Sequence, residues 1–378
     1  MALGHRETFN RCVERYSGDA YVKNFSCRDQ WLAMAFAQLT YRESLRDLES
    51  ALGARTGLLY QMGFRSPVLR STLADANERR DWRIYADWAQ TLIQRARRLY
   101  AKDSLGIELD QTVYALDSTV IDLCLNLFPW AHFRSTKAAI KLHTLLDLRG
   151  SIPTFLSLTE GSVHDVNILD LIPLEPGAVY VMDKGYVDFC RLGKMNDTGA
   201  FFVTRAKTNT AYYVAESRPV DETTGLRCDQ TIRLRGVQSK RDYPNGLRRI
   251  HFVDEKKDMS LVFLTNLFLP PALVIADLYR ARWRIELFFK WIKQHLCIHS
   301  FMGTSSNAVR TQVWTAVATY LLVAILKKTV VKAPSMHEIL QVLSVTPFEQ
   351  VSIGELFAER QTPIDTSFGT DYIPNLFS

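Results

Sequence analysis

From the N-terminus to about residue 105, apolar positions recur at three- and four-residue intervals. Leu45, Leu48 and Leu52 share one helical face, and residues 70–100 contain few helix breakers. This stretch predicts a set of amphipathic helices. Near residue 110 the period shortens to that of strands. Apolar and β-branched runs occupy 112–116, 140–146, 152–158, 178–182 and 201–204, with a turn at Gly150, Ser151 and Pro153 between the second and third. Helical stretches at 164–171 and 187–196 separate the third, fourth and fifth runs. The order predicts a mixed sheet flanked by helices. Residues 207–271 are again strand-like, with a polar turn at 242–246. A helix over 272–296, a long apolar one over 308–327, and shorter ones near 337–343 and 353–359 complete the pattern. The tail beyond 361 is polar and predicted to be loose.

Composition narrows the classes. In 378 residues, 47% hydrophobic and 23% charged positions sustain a packed core and exclude whole-chain disorder. The net charge of +6 suits a polyanionic partner without demanding one. Arg79, Arg80, Arg83, Arg95, Arg97 and Arg98 fit either a solvated helix face or a nucleic-acid surface. The six cysteines are dispersed and form no C-x-x-C pair, which fits reduced thiols in a cytoplasmic protein. The opening residues lack the apolar core of a leader. The most apolar run, 313–326, would span roughly 20 Å as a helix, short of the roughly 30 Å of a bilayer core. A buried helix and no membrane association are expected.

The candidate chemistry begins with two acids that close apolar runs, Asp117 after 113–116 and Asp183 after 179–182. Each could cap a following helix; as a pair at matching strand ends they could also hold a metal or do acid–base work. Within 272–296, residues placed about 100° apart on a helix put Tyr279, Arg282, Glu286 and Lys293 in a stripe roughly 60° wide. The rest of that surface is apolar, so the stripe must face something polar. An internal Arg282–Glu286 pair is one explanation; a site for metal and phosphates is another. Asp117, Asp183 and Glu286 would supply three hard oxygen ligands for Mg²⁺ or Mn²⁺. Other groupings carry less. His295, Cys297 and His299 lack a complementary ligand cluster, so no zinc site is expected. Asp165 fits a turn or cap with a site-lining role as the alternative, and His143 fits a core histidine. No P-loop or G-x-S-x-G elbow is present.

The spacing Tyr279-x2-Arg282-x3-Glu286-x6-Lys293 resembles the Y-R-E-K signature of bacterial insertion-sequence transposases of family four, a cut-and-paste DDE group. Leu116-Asp117-Ser118-Thr119 and Asp183-Lys184-Gly185-Tyr186 are similar to that family's first and second Asp motifs. The likeness runs from about residue 9 to 330. It implies an α/β fold: a helical DNA-binding region over 1–105, then a ribonuclease-H-like mixed-sheet core over 106–206 and 272–330. A β-rich insertion over 207–271 would interrupt that core, and a helical region and tail would follow over 331–378. It further implies Asp117, Asp183 and Glu286 as catalytic ligands of two Mg²⁺ ions, Mn²⁺ being able to substitute. Tyr279, Arg282 and Lys293 would meet DNA. The partners would be double-stranded DNA, as terminal inverted repeats and target, and a second protomer. The implied chemistry is end nicking, a hairpin intermediate and strand transfer. Relatives that stack a flipped base on an insertion Trp differ from this chain, which has no Trp between Trp130 and Trp283; Tyr212, Tyr213, Tyr243 or Phe252 could serve instead. A metal-dependent nuclease without strand transfer, or a non-catalytic DNA-binding derivative, are the alternatives.

Overall fold

The computed structural model describes residues 6–54, 56–134, 137–254, 258–295, 300–330 and 334–346. The N-terminal part is helical as expected: α1 (Arg6–Arg15), α2 (Cys27–Leu39), α3 (Leu45–Gly53), α4 (Thr56–Met62), α5 (Arg70–Arg79) and α6 (Arg83–Tyr100). Local chemistry fixes the starts. Ser26 and Asp29 form a reciprocal capping box on α2, and Ser44 caps α3 through the Asp47 amide. Along α6, Ile84, Trp88, Leu92, Ile93 and Ala96 form a buried stripe. Two of the predicted surface arginines are spent internally. Arg97 reaches Asp147, Glu175 and the Tyr114 hydroxyl, and Arg80 bonds Gln30 and the Phe25 carbonyl.

Ten strands follow: β1 (Val113–Leu123), β2 (His132–Arg134), β3 (Lys137–Asp147), β4 (Ile152–Glu160), β5 (Val179–Met182), β6 (Phe201–Arg205), β7 (Tyr212–Arg218), β8 (Leu226–Leu234), β9 (Leu247–Asp254) and β10 (Met259–Thr265). They form one sheet in the order β2-β3-β1-β5-β6-β10-β9-β8-β7, with β4 also on β3. β1, β3 and β4 are antiparallel neighbours, whereas β1, β5 and β6 run parallel. This is the mixed sheet anticipated above. The β3–β4 hairpin turns at Gly150, whose φ is +75°; a Cβ there would lie 2.3 Å from the Tyr100 ring. Residues 207–271 extend the same sheet rather than forming a separate one, because β10 pairs antiparallel with β6.

The alternation of strand side chains divides the interior. Val113, Ala115 and Val181 face α6 and the C-terminal helices; Tyr114, Leu116 and Met182 face the short 3₁₀ turn at Asp165–Asp170 and α7 (Phe189–Asp197). Helices α1, α2 and α6 share the first of these cores. Behind the sheet extension, the buried Arg248 pairs with Asp229 at 2.7 Å and donates to the carbonyls of Phe268 and Pro270.

Three elements differ from the sequence expectation. β1 continues to Leu123, so Asp117 lies within a strand; the β-branched Thr119, Val120 and Ile121 stay paired with β3. The helix expected over 272–296 is two, α9 (Ala272–Ala281) and α10 (Trp283–His295), preceded by the one-turn α8 (Val237–Asp242). The apolar run belongs to α11 (Ser306–Thr329), which is long and apolar enough to cross a bilayer, yet 89% of its apolar window is buried within the fold. It is a core helix, packed on α2, α5 and α6. α12 (Met336–Val345) caps it. The helix predicted near 353–359, the tail, Cys297 and His299 lie outside the described residues.

Candidate active site

The parallel ladder between β1 and β5 runs from Val113↔Val179 to Leu116↔Met182. Asp117 and Asp183 are the next residues on strands about 4.8 Å apart, so the two carboxylates leave the sheet as neighbours. β5 ends at this point; β1 goes on with β3 alone. Asp183 stands at the start of the 3₁₀ turn Lys184–Tyr186, but its side chain makes no capping bond. It accepts the Tyr279 hydroxyl at 3.1 Å instead. Asp117 Oδ1 accepts the Ser118 amide at 2.8 Å, and Oδ2 accepts Arg282 Nη1 at 2.6 Å. Gly185 has negative φ and open space around it, so no tight turn depends on it.

Arg282 joins the halves of the site. Its Nη2 donates to Glu286 Oε1 at 2.8 Å, so one guanidinium bridges an acid on β1 and an acid on α10. Arg282 is also where the predicted helix breaks. Its amide bonds the Tyr279 carbonyl at 3.2 Å and its carbonyl takes the Ile285 amide at 3.0 Å, both with the tighter 3₁₀ spacing. Its Nε is buried without a hydrogen-bond partner. Past the break, Trp283 is 58% exposed.

Lys293 lies away from this cluster. Its Nζ donates to the Val120 carbonyl at 2.8 Å. From Asp117 to Val120 is about 10 Å of strand, and from Glu286 to Lys293 about 10 Å of helix. α10 thus runs along β1, and the Y-R-E-K stripe is laid out beside the strand rather than gathered at one point.

Burial pushes the Asp117 carboxyl up, and the charges of Glu286 and Asp183 add to this; the Ser118 amide and Arg282 oppose it. Burial likewise raises the Tyr279 phenol to about 12, so it stays protonated and donates to Asp183. The donor chemistry suits a hard divalent cation: Asp117 and Glu286 share the Arg282 guanidinium, and Asp183 stands beside Asp117 on the neighbouring strand. Among the described residues no three acidic, histidine or cysteine side chains stand at ion-holding spacing. Arg282 holds one oxygen each of Asp117 and Glu286, and the second oxygen of each acid lies outside that pair.

Beside the acids opens a cleft of about 490 Å³, lined by Arg205, Phe252, Met259, Leu261, Arg280 and Trp283 among others. The register Val181↔Val203 continues to bring Arg205 alongside Asp183. Asp117 within β1, Asp183 just past β5 and Arg205 at the end of β6 therefore come side by side on three adjacent parallel strands. Arg205 stands near enough for its charge to act on the Tyr279 phenol. Arg205 is not among the residues expected from the sequence, although it closes the run 201–204 just as the two acids close theirs.

The family model described as Transposase DDE domain matches residues 108–322, which include all six residues named above from the Y-R-E-K and Asp motifs. The chain belongs to the DDE transposase family. A second model, described as a domain of unknown function (DUF4372), matches residues 1–65 of the transposase. The transposase is 35% identical over 257 residues to y4zB of Sinorhizobium fredii, itself described as a transposase, covering 67% of this chain and 70% of that one. It is 30% identical over 219 residues to the transposase ascribed to insertion sequence element IS5377 of Geobacillus stearothermophilus, covering 57% of each. The piggyBac transposase synaptic complex with hairpin DNA aligns over 96% of this chain and 81% of that one, at 7% identity and a TM-score of 0.46, too low to bear on the site. The transposase is thus of the bacterial insertion-sequence kind, an enzyme of DNA cleavage and strand transfer, and its family implies divalent metal use.

Proposed function

We propose that this transposase moves its element by cut-and-paste, with Asp117, Asp183 and Glu286 as the ligands of two divalent ions. The observation that carries this is the shared geometry of the acids: two side by side on adjacent parallel strands, where their pairing stops, and the third tied to the first through Arg282. Bound Mg²⁺ would supply activation of a water or 3′-OH and stabilisation of the leaving oxygen. The chain's own groups do the rest. Tyr279 orients Asp183. Arg282, which neutralises two carboxylates in the resting site, is placed to pass to a DNA phosphate, and its planar fork suits that exchange. Arg205 and Arg280 line the route of the backbone through the cleft. Lys293 meets the duplex farther along β1.

A hairpin intermediate calls for a π-face to hold a flipped base. Of the four aromatics named from the sequence, Phe252 lines the cleft, with the Arg280 guanidinium 5.9 Å from its ring; Trp283, just past the break in the helix, lines it too. Tyr243 is buried against Phe202 and unsuited. The N-terminal helices would read the terminal inverted repeats, and two protomers would pair two ends in the bacterial cytoplasm.

The test supplies purified protein with Mg²⁺, a pre-cut element end bearing a 3′-OH, and a target plasmid. Joined product supports transposition. Hydrolysis of intact ends without joining would assign a nuclease, and end binding without either would assign a non-catalytic derivative.

A further inference from the structure

The strand that carries Asp117 is supported from behind by a second carboxylate. Register pairs Ser118 with His143 and Val120 with Lys141, which puts Ser118, His143 and Lys141 on the sheet face opposite Asp117. Asp165 gathers them. Its Oδ1 accepts the Ser118 hydroxyl at 2.9 Å, lies 3.2 Å from Lys141 Nζ and is 3.8 Å from His143 Nδ1. Lys141 also donates to the Val163 carbonyl at 2.8 Å, tying the loop that bears Asp165 to β3. Tyr186, next to the second Asp motif, is 2% exposed and sits under the charges of Asp117 and Asp165. Asp165 is not a helix cap: His164 holds the cap position of the turn, without a capping bond.

The place of this cluster matters because of what β1 lacks there. Up to Leu116 the strand has a neighbour on each side; from Asp117 onward only β3 remains. The Asp117 carboxylate takes the amide of Ser118, so the orientation of the Ser118 peptide sets where Oδ1 points. Asp165 fixes the other end of Ser118. We infer that Asp165 is a positioning residue for Asp117, holding that carboxylate ready for a divalent ion through the Ser118 hydroxyl. The inference rests on Asp117 being a metal ligand, as proposed above.

The test uses the full chain with Asp165→Ala, Ser118→Ala, the double variant and Asp165→Asn. Mn²⁺ affinity is measured by electron paramagnetic resonance on the protein bound to a pre-cut end, and nicking is followed against Mg²⁺ concentration. Supporting carboxylates behind metal ligands are typically worth about 10- to 100-fold in metal affinity or activity. Each single alanine variant should therefore weaken Mn²⁺ binding and raise the half-maximal Mg²⁺ at least about tenfold, with end binding unchanged. The double variant should be no worse than either single one. Asp165→Asn, whose side-chain oxygen still accepts the Ser118 hydroxyl, should recover most of the loss. Unchanged Mn²⁺ affinity in both alanine variants, losses that multiply, or an asparagine variant as poor as alanine would overturn it. Ser118→Ala removes a single oxygen and keeps the test open if Asp165→Ala misfolds. Asp117→Asn separates the two ideas: if it nicks normally, the metal-ligand assignment fails, whereas an inactive Asp117→Asn beside a normal Asp165→Ala sinks only this inference.

Discussion

His143 shows what burial does to a single titrating side chain. It is fully buried, its Nε2 lies 2.9 Å from the Thr159 hydroxyl, and its Nδ1 has no hydrogen-bond partner. Burial holds its pKa down to about 4. The unfolded chain takes up the proton near pH 6.5, the native chain near 4, so stability is lost as pH falls through that window. The loss should approach about 3 kcal/mol. Urea midpoints of wild type and His143→Gln measured from pH 7 to 4 check this: the wild type should fall more steeply, and parallel curves would contradict it. The assignment of His143 to the core was legible because it sits in an apolar run. Asp117 and Asp183 were legible for the same reason, each ending such a run. Asp165 was not, since a lone Asp after His looks like any turn residue, and its significance depends on the β1–β3 register.

At the scale of elements, the break between α9 and α10 had no sequence signal. Neither Gly nor Pro occurs in 272–296. The break falls on the residue whose side chain is shared by Asp117 and Glu286, a tertiary demand that periodicity does not register. The extension of β1 was missed for a related reason: the polar pair Asp117–Ser118 looks like a strand end, while pairing with β3 carries the strand on. The sheet extension is held to the turn preceding α9 by Arg248, which links β9 to Asp229 on β8 and to the Pro270 carbonyl. Against the upward push of burial, Arg248 and Arg218 keep the Asp229 carboxyl below its ordinary range. Asp229→Ala leaves a buried guanidinium unpaired and should cost about 3–5 kcal/mol. Replacing both residues with apolar ones should recover most of that. Urea unfolding decides; a single variant within about 1 kcal/mol of wild type would show the pair to be dispensable.

For the whole molecule, the change of period near residue 110 marked where helices give way to the sheet, and the mixed-sheet class followed from the order of runs. Two features of the assembly were beyond the sequence. The N-terminal helices share a core with the sheet and α11, and the strands of 207–271 join the central sheet through β6 and β10. Both depend on which surfaces meet, which no local pattern encodes. The protein should therefore work as one unit in which distant segments build a single acidic centre. That centre is tested most directly by single-turnover nicking of DNA carrying an element end, in Mg²⁺, by Asp117→Asn, Asp183→Asn and Glu286→Gln. Each should lose about a thousandfold in rate, equivalent to about 4 kcal/mol of transition-state stabilisation, while binding the end as wild type does. Nicking at the wild-type rate by any one of the three would contradict the shared site.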